Sequence, residues 1–172
     1  MVLAHLVVVR LPPWALPHQL VVETDTVVKL NLACGPHRLD GFVNLDLPDW
    51  RFESGLAYDD GTVDAITESH GLMYVAIEDW PDVFAEFHRV LKPGGIVRIT
   101  EDSTADPESE RFGGWTDALT LTSPELVRKH LKQAGFVATK RTATSTGYHD
   151  DSLLQAWHGS EPKVLFMEGR KP

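Results

Sequence analysis

Val28-Lys29-Leu30-Asn31-Leu32-Ala33-Cys34-Gly35-Pro36, followed by Val43-Asn44-Leu45-Asp46, is the stretch that decides the fold. The run from Val28 to Ala33 is nearly continuous in apolar residues, the pattern of a central parallel strand buried on both faces. Ala33, Cys34 and Gly35 are small and make a tight turn, and Phe42 to Leu47 reads as a second strand closed by the Asp46 carboxylate. A strand, a bare turn and a strand ending in an acid let backbone approach a nucleoside-bearing ligand while the acid grips its ribose.

Beyond this unit the punctuation is regular. Asp60-Gly61 is a turn before a third strand, Val63 to Glu68. A helix follows, capped by Asp79 or Trp80, with Pro81 in its first turn and an apolar stripe of Val83, Phe84, Phe87, Val90 and Leu91. Lys92-Pro93-Gly94-Gly95 stops it, and Ile96 to Thr100 is the next strand. Ser123 caps a second helix begun by Pro124 and ended by Gly135, with Leu126, Val127, Leu131 and Ala134 on its buried side. Phe136 to Thr142 and Lys163 to Glu168 are strands joined by a polar loop without a helix, which predicts an antiparallel pair at one edge. Alternating strands and helices predict an α/β fold with a mainly parallel sheet in a three-layer sandwich.

Residues 1–27 form a β-rich extension interrupted by Pro12-Pro13 and Pro17, and residues 28–172 form one domain. The extension is left open as an added edge, a homodimer contact or a poorly ordered segment. The apolar opening Val2 to Val9 has no preceding Lys or Arg and no clean cleavage site, which argues against a secretory signal. The lone Cys34 excludes an internal disulfide and fits a reducing, cytoplasmic setting. No apolar run is long enough to span a membrane. The net charge of −9 disfavours a nucleic-acid partner. A nicotinamide dinucleotide site needs G-x-G-x-x-G at the opening of a helix, whereas this turn has one glycine followed by Pro36.

The ordered set of motifs resembles the class I S-adenosylmethionine-dependent methyltransferases. More closely, it is similar to a small subgroup of methyltransferase-domain proteins with a shortened first crossover. The residues that carry the resemblance are Lys29-Leu30-Asn31-Leu32-Ala33-Cys34-Gly35, Gly41 to Asp46, Asp60 to Ile66, Ser69-His70, and Phe87 to Ile99 with its Leu91-Lys92-Pro93-Gly94-Gly95 turn. It implies a Rossmann-like fold, S-adenosylmethionine as cofactor, and a cofactor site built from Asn31, Ala33, Cys34, Gly35, Asp46, Leu47, Tyr58, Glu68 and Ser69. Asp46 would take both ribose hydroxyls in charge-assisted bonds. Leu47 and Tyr58 are candidates to flank the adenine, or core and rim residues. Cys34 is read as structural, because no cation that would lower its pKa is apparent.

Three departures stand out. Only Pro36 to Gly41 separate the turn from the second strand, too few for a crossover helix. The stretch Asp49-Trp50-Arg51-Phe52-Glu53 carries Arg51 where an adenine-binding acid is frequent, with Asp49 and Glu53 beside it. Leu72-Met73-Tyr74 replaces a Leu-Glu-His run. That change motivates an alternative, a non-catalytic binding or regulatory module.

Methyl transfer to a hydroxyl requires alignment, exclusion of water and a base. His70, after the third strand, is the candidate base because its ordinary pKa is near neutrality. Glu101 and Asp102, after the strand Ile96 to Thr100, are candidates to orient the acceptor. Tyr148-His149-Asp150-Asp151 lies in the late loop, a potential lid, and is not read as a metal site. The expected acceptor is a small-molecule or sugar hydroxyl, with a protein side chain second.

Overall fold

The computed structural model describes residues 27–102, 119–120, 122–141 and 164–172. The expectations for the extension before Val27 and for the loop holding Tyr148-His149-Asp150-Asp151 lie outside the described residues. Six strands make one sheet: β1 (Lys29–Leu32), β2 (Val43–Leu45), β3 (Val63–Ser69), β4 (Leu91–Asp102), β5 (Val137–Arg141) and β6 (Val164–Arg170). Their order is β2-β1-β3-β4-β6-β5. The first four strands run parallel, and β6 is antiparallel to both β4 and β5. The last two strands form an antiparallel pair at one edge, as expected. Two α-helices, α1 (Trp80–Val90) and α2 (Pro124–Gln133), and three one-turn 3-10 helices complete the described elements.

Register sorts the strand residues into two kinds of row. Leu30, Ile66 and Val97 align on one face, as do Leu32, Glu68, Ile99 and Met167 further along. The apolar members of these rows join Trp80, Val83, Phe84, Phe87, Val127 and Leu131 from the helices in one core cluster. The opposite pleat carries Asn44, Asn31, Thr67, Arg98 and Glu168 in register. Arg98 and Glu168 are both buried and meet at 3.5 Å. This ion pair spans the parallel part of the sheet and the antiparallel β6.

The helix boundaries follow from side-chain chemistry. Pro81 sits in the first turn of α1, where its missing N–H costs nothing. Trp80, Val83, Phe84, Phe87 and Val90 are its buried stripe. At its other end Lys171 Nζ donates to the carbonyls of His88 and Leu91 at 2.7 Å each. A cation there also complements the helix dipole. Ser123 Oγ accepts from Leu126 N at 3.1 Å, so Ser123 caps α2 as its type and position predict. His130 of α2 stacks on Phe84 with centroids 5.9 Å apart and meets Trp80 edge-on at 5.4 Å, locking the two helices together.

The connection from β1 to β2 holds no helix, yet the two strands pair in parallel. Side-chain hydrogen bonds do the work that a helix does elsewhere. Asn44 Oδ1 accepts from Leu39 N at 2.8 Å and from Asn31 Nδ2 at 2.7 Å. Asn44 Nδ2 donates to the carbonyls of Leu39 and Phe42, both at 3.1 Å. Asn31 Nδ2 also donates to His37 O at 2.9 Å. Leu39 is buried as the apolar plug of this short crossover.

Candidate functional site

The carboxyl ends of β1, β2 and β3 face one way, and the chain leaves them in sharp turns. Ala33 after β1 and His70 after β3 both have positive φ, 52° and 57°. Left-handed backbone is costly for residues with a Cβ, and such strain gathers where chain must turn beside a ligand. Gly35 is also left-handed at φ 49°, and a Cβ there would meet nothing within 4 Å. Its bareness therefore serves the backbone conformation and leaves open space above the turn.

A cavity of about 540 Å³ occupies that space. One wall is the turn from Ala33 to His37, and another is Asp46 and Leu47 after β2. Trp50 to Glu53 form a third wall, and Ser69, His70, Gly71, Tyr74 and Val75 close the side above β3. The aromatic wall is anchored below. Trp50 Nε1 donates to Gly55 O at 2.8 Å, the Trp50 ring packs edge-on to Phe52 at 4.8 Å, and Phe52 reaches Phe87 of α1 at 6.3 Å. Trp50 N also donates to Asp46 O at 3.0 Å, which ties this wall to the end of β2.

The structure brings together Ala33, Cys34, Gly35, Asp46, Leu47, Ser69 and His70 from the residues expected at the site. Ser69 Oγ lies 3.1 Å from His70 Nδ1, and His70 N donates to Thr100 O at 2.8 Å, so both ring and backbone of His70 are held. Cys34 is buried, and burial first, then the nearby Asp46, push its thiol pKa up. A thiol held protonated is a poor nucleophile, in keeping with a structural role.

Other expected residues stand elsewhere. Asn31 is buried behind β1, and its amide holds the crossover through His37 and Asn44. Tyr58 packs against the core, and its carbonyl accepts from Arg89 Nη1 at 2.9 Å. Arg89 also binds Glu86, Asp60 and Leu56 O, so one guanidinium fixes the loop that carries Tyr58 away from the cavity wall. Glu68 and Glu101 are fully buried behind the wall. Glu68 Oε1 accepts from Gly71 N at 2.6 Å and Leu72 N at 3.1 Å, and Glu101 Oε1 accepts from Leu72 N at 2.8 Å. Asp102 ends β4.

Sequence reasoning did not anticipate Gly71, Tyr74 and Val75 as wall residues. Their signal is spatial: the turn at His70 folds the next residues back over the cavity. Met73, named with Tyr74 as a departure, is buried and belongs to the packing. In the Asp49 to Glu53 stretch, Arg51 and Glu53 reach the cavity and Asp49 does not. No described helix is long and apolar enough to cross a membrane.

Comparison with known proteins places this geometry. Residues 37–99 match the sequence model of a family described as a methyltransferase domain. No curated protein sequence matches the chain. Among solved structures, a SAM-dependent methyltransferase from Archaeoglobus fulgidus aligns with a TM-score of 0.64 at 11% identity, covering 84% of this chain and 86% of that one. A methyltransferase of Haloferax volcanii, solved with the Trm112 methyltransferase activator, aligns at 0.61 and 15% identity, covering 86% and 83%. Phosphoethanolamine N-methyltransferase 2 of Haemonchus contortus, solved with S-adenosyl-L-methionine, aligns at 0.57 and 14% identity, covering 85% of this chain and 49% of the larger protein. At such identities the likeness is one of fold. Through the domain match over residues 37–99 and the shared fold, the chain is similar to the class I S-adenosylmethionine-dependent methyltransferases.

Proposed function

We propose that the chain binds S-adenosylmethionine in the cavity above β1, β2 and β3 and directs methyl transfer to the hydroxyl of a small molecule or sugar. The observation that carries this reading is the convergence of the bare Ala33–Gly35 turn, the Asp46 carboxylate and His70 on one cavity of about 540 Å³. These residues suit the cofactor: the turn offers backbone and open space, Asp46 offers a carboxylate to two ribose hydroxyls, and Leu47 and Trp50 offer apolar faces to an adenine. When bound, S-adenosylmethionine supplies a methyl group on a sulfonium. The Trp50–Phe52 wall and Tyr74 exclude water from the reacting atoms. His70, its Nδ1 side held by Ser69, takes the acceptor's hydroxyl proton at Nε2. Glu101, expected to orient the acceptor, is fully buried behind the wall.

Calorimetry tests the reading. S-adenosylhomocysteine should bind wild-type protein with micromolar affinity, and Asp46→Ala should weaken it at least tenfold. Binding indifferent to that substitution removes the ribose assignment.

A second reading, a non-catalytic binding module, is favoured by one observation: Glu101, expected to orient the acceptor, is fully buried and does not line the cavity. Tight binding without turnover across a panel of hydroxyl acceptors would support it.

A further inference from the structure

Glu68 stands in an otherwise apolar row of the sheet. Its register partners are Leu32 on β1 and Ile99 on β4, and Met167 continues the row. Glu101, two residues beyond Ile99, puts a second carboxyl on the same face, where its Oε1 and the Oε1 of Glu68 share the Leu72 N–H at 2.8 and 3.1 Å. Both are fully buried. Among the described residues, the backbone N–H groups of Gly71 and Leu72 donate to them. Glu68 Oε2 has no partner among the described residues. Two buried carboxyls that share one N–H donor cannot both ionise without strong repulsion, so they retain a proton between them.

The segment they hold is the cavity wall itself. Tyr74 N donates back to Gly71 O, and Val75 N to Leu72 O, at 3.0 Å each. Gly71 is wedged in place: a Cβ there would collide with Ala33 Cβ and lie 2.8 Å from the Phe52 ring and 2.9 Å from Glu68 Oε1. The pair therefore sets how the Gly71–Val75 wall sits against the Ala33 turn and the aromatic wall.

We propose that Glu68 and Glu101 are positioning residues, a proton-sharing pair that clamps the Gly71–Val75 wall against the cavity and releases it when the shared proton is lost. The role in ligand binding rests on the reading above; the clamp itself belongs to the free protein. Burial pushes the Glu68 pKa up to about 7, opposed by the N–H donors of Gly71 and Leu72, by Glu101 and by the His70 charge. Besides Glu101, His70 is the titratable neighbour among the described residues, and it faces Glu68 from the turn after β3. Because the acid's pKa is raised in the closed state, the clamp is complete below the ordinary value of 4.5 and weakens as pH climbs through about 7. From that shift, opening of the wall should increase about tenfold between pH 6 and pH 8.5.

Amide hydrogen exchange on the free protein reads this without any ligand. After correction for intrinsic rates, protection of Gly71 and Leu72 should fall about tenfold from pH 6 to 8.5 in wild type. Glu68→Gln keeps an oxygen for those N–H groups and donates to Glu101, so its protection should stay high and flat. Glu68→Ala should lose protection at both pH values. Glu101→Gln is the parallel variant should Glu68→Gln fail to fold, and it should behave alike. Protection that is flat in wild type, or that falls equally in the Gln variants through His70, overturns the clamp. Calorimetry with S-adenosylhomocysteine at the same pH values forms the second arm, in which affinity should weaken with rising pH in wild type and stay level in Glu68→Gln. Absence of binding at every pH, with the exchange pattern as expected, would refute the cofactor reading and leave the clamp standing.

Discussion

Asn44 shows how much one side chain carries in this molecule. Its amide makes three hydrogen bonds with the crossover loop and one with Asn31, in place of a helix that the chain is too short to build there. Asn44→Ala strands the Leu39 amide and the Asn31 side chain. The expected loss is about 2 kcal/mol or more of unfolding free energy, measured by urea denaturation. Loss of a few tenths would mean that the crossover holds itself. At this scale the sequence was readable where a residue's role is local. Ala33, Gly35 and Asp46 fall at strand ends, and strand ends are visible in the pattern of apolar runs. It was unreadable where the role depends on which face a residue takes. Asn31 and Glu68 lie on β1 and β3 beneath the cavity, on opposite faces of the sheet, and neither lines it. Alternation along a strand sorts residues into two faces, but does not say which face a ligand meets when both are buried.

The two helices were legible down to their caps. Pro81 and Ser123 mark their starts, and the spacing of Val83, Phe84 and Phe87 marks the buried side of α1. His130 was not legible as core, because a histidine among Lys129 and Lys132 reads as solvated. It is buried against Phe84 and Trp80, and burial, then Lys129, lower its pKa. A histidine held neutral in the native state stabilises above its ordinary value of 6.5, and that contribution is lost as pH falls through its lowered native value. The stability advantage of His130→Phe over wild type should therefore widen as pH drops from 7.5 to 5, read from urea midpoints. An advantage that stays constant over this range would contradict a buried neutral His130. The strand boundaries held to within one or two residues, except at β4. That strand begins at Leu91, and its pairing with β3 shifts register between Val63 and Ala65, across the Lys92-Pro93-Gly94-Gly95 turn. A helix-stopping motif can thus also belong to the strand that follows.

Across the whole molecule, sheet order determines where chemistry can occur. Four parallel strands carry their carboxyl ends to one edge, and the turns after β1, β2 and β3 enclose the cavity there. The antiparallel β6 joins β4 to β5 and fastens to the parallel set through Arg98 and Glu168. The architecture was legible because alternating elements admit few topologies. The far wall of the cavity was not, since Trp50, Phe52 and Tyr74 come from segments without regular periodicity and meet only in three dimensions. In the proposed function this cavity receives S-adenosylmethionine through Asp46 and the Ala33–Gly35 turn, with the reacting methyl presented to His70. The most direct measurement is a crystal structure of the protein with S-adenosylhomocysteine bound. Both ribose hydroxyls should lie within hydrogen-bonding distance of the Asp46 carboxylate, with the sulfur on the His70 side of the cavity. A ligand whose ribose lies away from Asp46, or one lodged outside this cavity, would contradict it.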